Sequence, residues 1–468
     1  RTNKGLGIGF FNAITDRTML EVENNETGEI REVEGDPLTN FNVLVLDQNL
    51  KNNSSVTFTN TNVTRGKNGD DANVSGLNLT LNDPTLTWRI RGDVAYSSIT
   101  SYDIGKANES KKTGTRYNLE FGKNRGNFQF QVSRRYETDD FDINDMGFQR
   151  RANQIRHEAR VEYIRFTPIG NFNDYRIRLS VNQSQLYEPN AFTDFNTNIS
   201  FNGTLTNFWR FGIDAGAAPR GSDDFFEART NGFVFSQPES YSYGFSFSSD
   251  GRKLFRLSVR ARFSERPEWD TSSRFWRIGG RFRIGERIEL DHNVELNTRL
   301  DERGYATRLF DESGNLEHVV MGIRDVRNIT NTLSSSYIFT NRMGLTFRMR
   351  HYWSRVEYSD FMELREDKSL VDIDYTGINE VSGNLIHNRN FNQFNIDMEY
   401  NWQFLPGSEI RFIWKRNIGT NDFNTGTSFL NNFGDTLTAP NFDTFTLRMV
   451  YFIDYLSIKK IVTTQVLI

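Results

Sequence analysis

From Thr444 to Tyr455 the chain alternates. Phe445, Leu447, Met449, Tyr451, Ile453 and Tyr455 fall on one face, with Thr446, Arg448 and Asp454 on the other and Val450 and Phe452 as apolar exceptions. Upstream, Phe394, Ile396, Met398, Tyr400, Trp402 and Phe404 oppose Asn395, Asp397, Glu399, Asn401 and Gln403. Ile410, Phe412 and Trp414 oppose Glu409, Arg411 and Lys415. The same pattern places Phe255, Leu257, Val259, Ala261 and Phe263 against Arg256, Arg260 and Arg262, and Trp276, Ile278, Phe282 and Ile284 against Arg277, Arg281 and Arg283. Ile288, Leu290, Val294 and Leu296 oppose Glu289, Asp291, Asn293 and Glu295. A period of two is a strand signal, because a helix scatters such residues around its axis. The pattern predicts about 20 strands of roughly ten residues, the length that crosses a bilayer at a tilt.

The connections alternate as well. Short ones lie at 82–85, 122–126, 249–252, 285–287, 340–342 and 405–408. Long polar ones lie at 135–152, 213–239, 300–328, 357–390 and 419–443, and a long hairpin lies between Thr15 and Pro37. Short periplasmic turns and long extracellular loops are the habit of outer-membrane barrels. In hydrocarbon every backbone N–H and C=O must pair internally, so spanning strands close into a barrel. The reading is therefore an all-β protein, an antiparallel transmembrane β-barrel in the bacterial outer membrane. Residues 1–456 form the barrel and 457–468 a periplasmic tail. Phe394, Trp402, Phe412, Trp414, Phe445, Tyr451 and Tyr455 are expected to face lipid. The alternative for such stripes is a soluble half-buried sheet. Aromatic-rich strand ends and the alternating loop lengths favour the membrane.

Composition fits that reading. Of 468 residues only 37 % are hydrophobic, and mean hydropathy is -0.61, yet 14 % are aromatic. A wall with one face in lipid and one in water dilutes its own hydropathy in this way. No run of 18 apolar residues marks a spanning helix. The absence of Cys excludes a disulfide framework, a thiolate metal site and a catalytic thiol. Charges of both signs are mixed along the chain, with 56 basic and 60 acidic residues, so no basic stripe points to nucleic acid.

Gly5 to Thr15 (GLGIGFFNAIT), Pro37 to Gln48 (PLTNFNVLVLDQ) and Phe141 to Phe148 (FDINDMGF) resemble the C-terminal membrane barrels of Bacteroidota proteins that often carry a carbohydrate-binding family-nine-like domain. The ending Tyr451 to Leu456 (YFIDYL) is similar to theirs. The resemblance spans essentially the whole chain and implies an outer-membrane location and a link to carbohydrate handling. It brings no catalytic residues. It also implies a signal peptide, a periplasmic β-sandwich and a further strand ahead of Gly5, and about 22 strands if such an N-terminal part is missing.

Three groups of residues carry candidate chemistry. Arg256, Arg260, Arg262, Arg277, Arg281 and Arg283 fall on adjacent strands facing the lumen, next to Glu289, Asp291 and Glu295. They form either a positive patch that selects anions or a paired network, and the nearby carboxylates favour pairing. Asp139, Asp140, Asp142, Asn144 and Asp145 gather oxygen donors in one outer loop, enough to raise Ca²⁺ as the one cofactor to test. Trp269, Phe225, Phe226 and Tyr305 offer rings for stacking on sugars. His157, His292, His318, His351 and His387 show no metal-protease spacing, and no nucleophile motif is present, so the chain reads as non-enzymatic. The expected partners are the lipid bilayer, a carbohydrate ligand and envelope proteins. The expected function is solute or glycan uptake through a porin-like barrel. The alternatives are a membrane anchor for a periplasmic carbohydrate-binding domain or a subunit of a larger envelope complex, and, disfavoured, a glycan hydrolase.

Overall fold

The computed structural model describes residues 2, 4–65, 69–102, 109–379, 381, 383 and 385–453. The expected tail at 457–468 and Tyr455 lie outside them. In chain order the first strands are β1 (Leu6–Thr15), β2 (Thr18–Glu23), β3 (Ile30–Asp36), β4 (Thr39–Asn49), β5 (Ser55–Arg65), β6 (Asp71–Asn82), β7 (Trp88–Tyr102), β8 (Glu109–Lys123), β9 (Phe128–Glu137) and β10 (Gln154–Arg165). There follow β11 (Phe172–Gln185), β12 (Phe192–Leu205), β13 (Arg210–Ala218), β14 (Ser222–Asp224), β15 (Phe235–Gln237), β16 (Ser240–Ser248), β17 (Phe255–Arg266) and β18 (Thr271–Ile284). The last are β19 (Ile288–Phe310), β20 (Leu316–Thr340), β21 (Met343–Leu364), β22 (Leu370–Asp372), β23 (Arg389–Leu405), β24 (Ser408–Asp422), the helix α1 (Phe429–Thr438) and β25 (Asn441–Val450). Three-residue β14, β15 and β22 and the separate β2–β3 hairpin apart, twenty strands of nine or more residues remain among the described residues, the number the alternation predicts.

The chain divides into two compact units. The first holds Arg1–Phe166, Arg176–Ser200 and Ala218–Asp223, the second Thr167–Tyr175, Phe201–Ala217 and Asp224–Ile468. In the first, β1, β4, β5, β6, β7, β8, β9 and β10 pair antiparallel in that order. Its register aligns Ile8, Leu46, Phe58, Leu77, Val94, Tyr117 and Tyr136 in one row across seven strands. Residues two apart share a face, so the row four residues along lies on the same side. It reads Asn12, Asn42, Asn62, Asn73 and Ser98. Asn12 donates to Asn42 (2.8 Å) and Asn73 to Asn62 (3.2 Å). The outward face thus changes from hydrocarbon to amide, which is where a lipid belt gives way to water.

In the second unit β16 to β21, then β23, β24 and β25, pair antiparallel in order, with β22 added at the far end of β21. Here the apolar row is Ile284, Ile288, Tyr337, Leu345, Tyr400, Phe412 and Leu447. No helix among the described residues is long and apolar enough to cross a membrane.

The turns follow their chemistry. Between β4 and β5, Asn52 and Asn53 both take positive φ (58° and 53°), the left-handed pair a tight hairpin needs and Asn tolerates. Between β6 and β7, Asp83 accepts the Thr87 (2.6 Å) and Trp88 (2.8 Å) amides and the Thr85 hydroxyl. These donors, the Thr85 hydroxyl foremost, hold its carboxyl down at about 2. Arg252 does the same for Asp250 in the β16–β17 turn, also to about 2.

Two expectations about loops are corrected. Residues 300–328 are not a loop: β19 and β20 run 23 and 25 residues, far beyond the roughly ten that cross a bilayer. Beyond the membrane the strand no longer needs a lipid face, so its alternation lapses while its ladder continues. That projecting end packs its own small core of Ala228, Phe235, Val319, Met321 and Leu364. Residues 419–443 likewise hold the end of β24 and α1, capped by the Ser428 hydroxyl.

Candidate solute-binding face

The polar face of the second unit carries two charged rows. One runs Arg256, Arg281, Asp291, Ser334, Arg348, Asp397, Lys415 and Thr444. Its neighbour runs Arg283, Glu289, Ser336, Thr346, Glu399, Ile413 and Thr446. Between them lies an open cavity of about 560 Å³, lined by Glu289, Asp291, Ser334, Ser336, Thr346, Arg348, Asp397, Glu399 and Lys415. Both charge signs and several hydroxyls therefore face one hydrated space.

The expected arginine patch is largely a paired network. Arg277 meets Glu295 (2.7 Å) and Arg283 meets Glu289 (3.2 Å). Arg256 donates to the Ser248 hydroxyl (2.9 Å), Arg281 to the Gly251 carbonyl (2.7 Å), and Arg262 lies 4.0 Å from Asp214. Asp291 accepts from Asn293. Arg260 has neither an ion pair nor a hydrogen bond among the described residues, and the same holds for Arg348. These two guanidiniums stand on the polar face without a protein partner among the described residues. The paired ones are water-exposed, so each pair stabilises the wall by only about 0–1 kcal/mol.

The first unit has a counterpart that sequence reasoning missed. Glu162 on β10 is nearly buried and takes Arg178 (2.7 Å), Arg160 (3.1 Å) and Arg176 (3.5 Å). One carboxylate thus bridges three guanidiniums on the polar face. Arg-x-Arg beside Glu at alternate positions of adjacent strands was the available signal.

The acidic outer loop does not gather its oxygens. Asp140 pairs with Lys112 (3.1 Å), Asp145 with Arg65 (2.5 Å), and Asp142 accepts the Asn144 backbone (2.8 Å) and side-chain amides. Among the described residues no three metal-ligating side chains converge. The loop folds instead onto the polar face of β7 and β8. Phe141, 2 % exposed, sits over Gly114, and the Asp142 amide donates to the Ser97 hydroxyl (3.1 Å).

The aromatic residues divide as well. Trp269 has Phe235 at 5.7 Å and the Arg303 guanidinium at 4.6 Å, and Arg229 covers Tyr305 at 4.4 Å. Those two rings are engaged by protein; of the other two expected, Phe226 is 40 % exposed and Phe225 half-buried. Of the residues expected to face lipid, Trp402, Phe445 and Tyr451 are exposed, while Phe412 and Trp414 stack on Phe445. Phe394 departs from the expectation: it is 3 % exposed because Phe433 of α1 packs over it at 6.1 Å.

An antiparallel sheet with an apolar outward row, an amide-rich edge above it and a charged, hydrated opposite face defines the outer-membrane β-barrel class. Residues 1–462 match the family described as a domain of unknown function, DUF5916, and the chain belongs to that family. No curated protein matches the sequence. Among solved structures, the copper transporter OprC is similar over 96 % of this chain and 72 % of its own, with 11 % identity and a TM-score of 0.48. The FrpB iron transporter of Neisseria meningitidis matches 88 % of this chain and 69 % of its own (12 % identity, TM-score 0.45). The outer-membrane transporter YddB of Escherichia coli matches 96 % and 73 % (10 % identity, TM-score 0.44).

Proposed function

We propose that the protein is a non-enzymatic outer-membrane barrel that admits polar solutes, small glycans foremost, along its charged inner face. The observation that carries this reading is the 560 Å³ cavity on the polar face, where carboxylates, hydroxyls and the unpaired Arg348 share one hydrated wall. Such a wall replaces water's hydrogen bonds to a hydroxyl-rich solute group by group. The choice of glycans rests on the sequence resemblance to barrels that accompany carbohydrate-binding domains.

Proteoliposome swelling tests it. Vesicles holding the protein should swell in isotonic disaccharide faster than empty vesicles, and Arg348→Ala should alter the ranking of solutes. Vesicles as tight as protein-free controls would favour the second reading, a membrane anchor for a periplasmic carbohydrate-binding domain or an envelope complex. The specific observation favouring that reading is the 138–153 loop lying on the polar face at Ser97 and Gly114.

A further inference from the structure

α1 has no place in an idealised barrel. It lies on the outward face of β21 and β23, the side that carries the lipid-facing residues, and not over the polar face. Phe429 packs on Trp353 (5.9 Å) and His351 (5.8 Å), and Phe433 on His351 (4.9 Å) and Phe394 (6.1 Å). Asn432 bonds Asn392 at 2.6 Å.

Those contacts give the helix a direction. The Trp353–Asn392 row stands one step further from the membrane than the His351–Phe394 row, and the next step down is Met349–Ile396. One helical turn advances about 5.4 Å, close to the roughly 6.6 Å between same-face rows of a strand. From Phe429 to Phe433 the helix therefore descends one row, and Leu437 continues the same face one turn lower. Leu437 is 44 % exposed and Leu430 77 %. The other side carries Asn431, Asp435 and Thr438. In the same register row as Met349 and Ile396, Arg416 pairs with Asp443 (2.7 Å), a charge pair where the apolar rows end.

We propose that α1 is an interfacial helix, seated on the top edge of the lipid belt, with Leu437 and then Leu430 immersed in the outer leaflet. The helical rise brings Leu437 to the level of the Met349–Ile396 row of the apolar face, so lipid is the occupant that extends an existing interface. Amphipathic helices at such a boundary sink their apolar face about 5–10 Å into the headgroup–acyl zone.

The chain has no Cys, so a single introduced thiol is a unique reporter. Leu437→Cys and Leu430→Cys, each labelled with an environment-sensitive fluorophore, are reconstituted into vesicles with and without lipids brominated high on the acyl chain. Glu26→Cys, in the exposed β2–β3 turn, is the water control. The proposal expects Leu437→Cys to lose most of its emission to brominated lipid, Leu430→Cys less, and Glu26→Cys none, with iodide quenching in the reverse order. Strong iodide quenching at 437 without brominated-lipid quenching would overturn it and leave the helix in water. Protection from both quenchers at 437 and 430 would overturn it in favour of a protein partner on that face.

Discussion

Gly114→Ala is expected to release the 138–153 loop from the polar face and raise solute flux. A Cβ at this position would stand 2.2 Å from the Phe141 Cα and backbone nitrogen and 2.5 Å from the Asp140 carbonyl carbon. All three are main-chain atoms, so no rotamer change makes room. Overpacking of this kind costs about 1–3 kcal/mol. At about 1.4 kcal/mol per factor of ten, the undocked population grows about 5- to 140-fold. Disaccharide-driven swelling of vesicles should rise with it, and the loop should become a protease target near Phe141. Unchanged flux with a cleaved loop would show that the loop does not limit passage.

Glu162→Gln is expected to shift the barrel toward anion selectivity, and Glu162→Ala to lower stability by about 2 kcal/mol. Breaking a buried pair costs about 3–5 kcal/mol. The arginines around Glu162 have side chains 35–45 % exposed, so water screens part of that loss. Removing one charge nonetheless leaves Arg160, Arg176 and Arg178 together without a counter-charge. The reversal potential in a salt gradient reads the first effect, and the urea midpoint in detergent the second. Unchanged selectivity in Glu162→Gln would place this cluster away from the solute path.

The architecture was legible because the membrane imposes a binary rule at every second residue. Phe394 to Trp402 and Phe445 to Met449 declare their faces without any knowledge of the partners. The turns at 405–408 and 340–342 are where hydrocarbon stops, and they too are plain. Legibility fails where that rule stops applying. Residues 300–328 extend a hairpin through water, so Arg299 and Arg324 both pair with Glu302 (Arg324–Glu302, 3.0 Å) and alternation gives no sign of strand. In α1 the spacing of Phe429, Phe433 and Leu437 behind Ser428 is helical, but ten residues inside a long polar stretch are easily overlooked. Phe394 follows the same logic: its period names its face correctly, while its cover comes from a helix nearly forty residues away. The arginine rows were readable as partners of Glu289 and Glu295 by strand order alone; that Arg260 and Arg348 stay unpaired depends on register, which sequence does not specify.

The most direct test of the two-faced wall is a cysteine scan along β23 in intact vesicles. Thiols at 396, 398, 400 and 402 should react with a lipid-soluble maleimide and resist a membrane-impermeant one. Those at 395, 397, 399 and 401 should show the opposite preference. A scan in which both sets react alike with the water-soluble reagent, or in which the aromatic side is shielded from lipid by protein, would contradict the account.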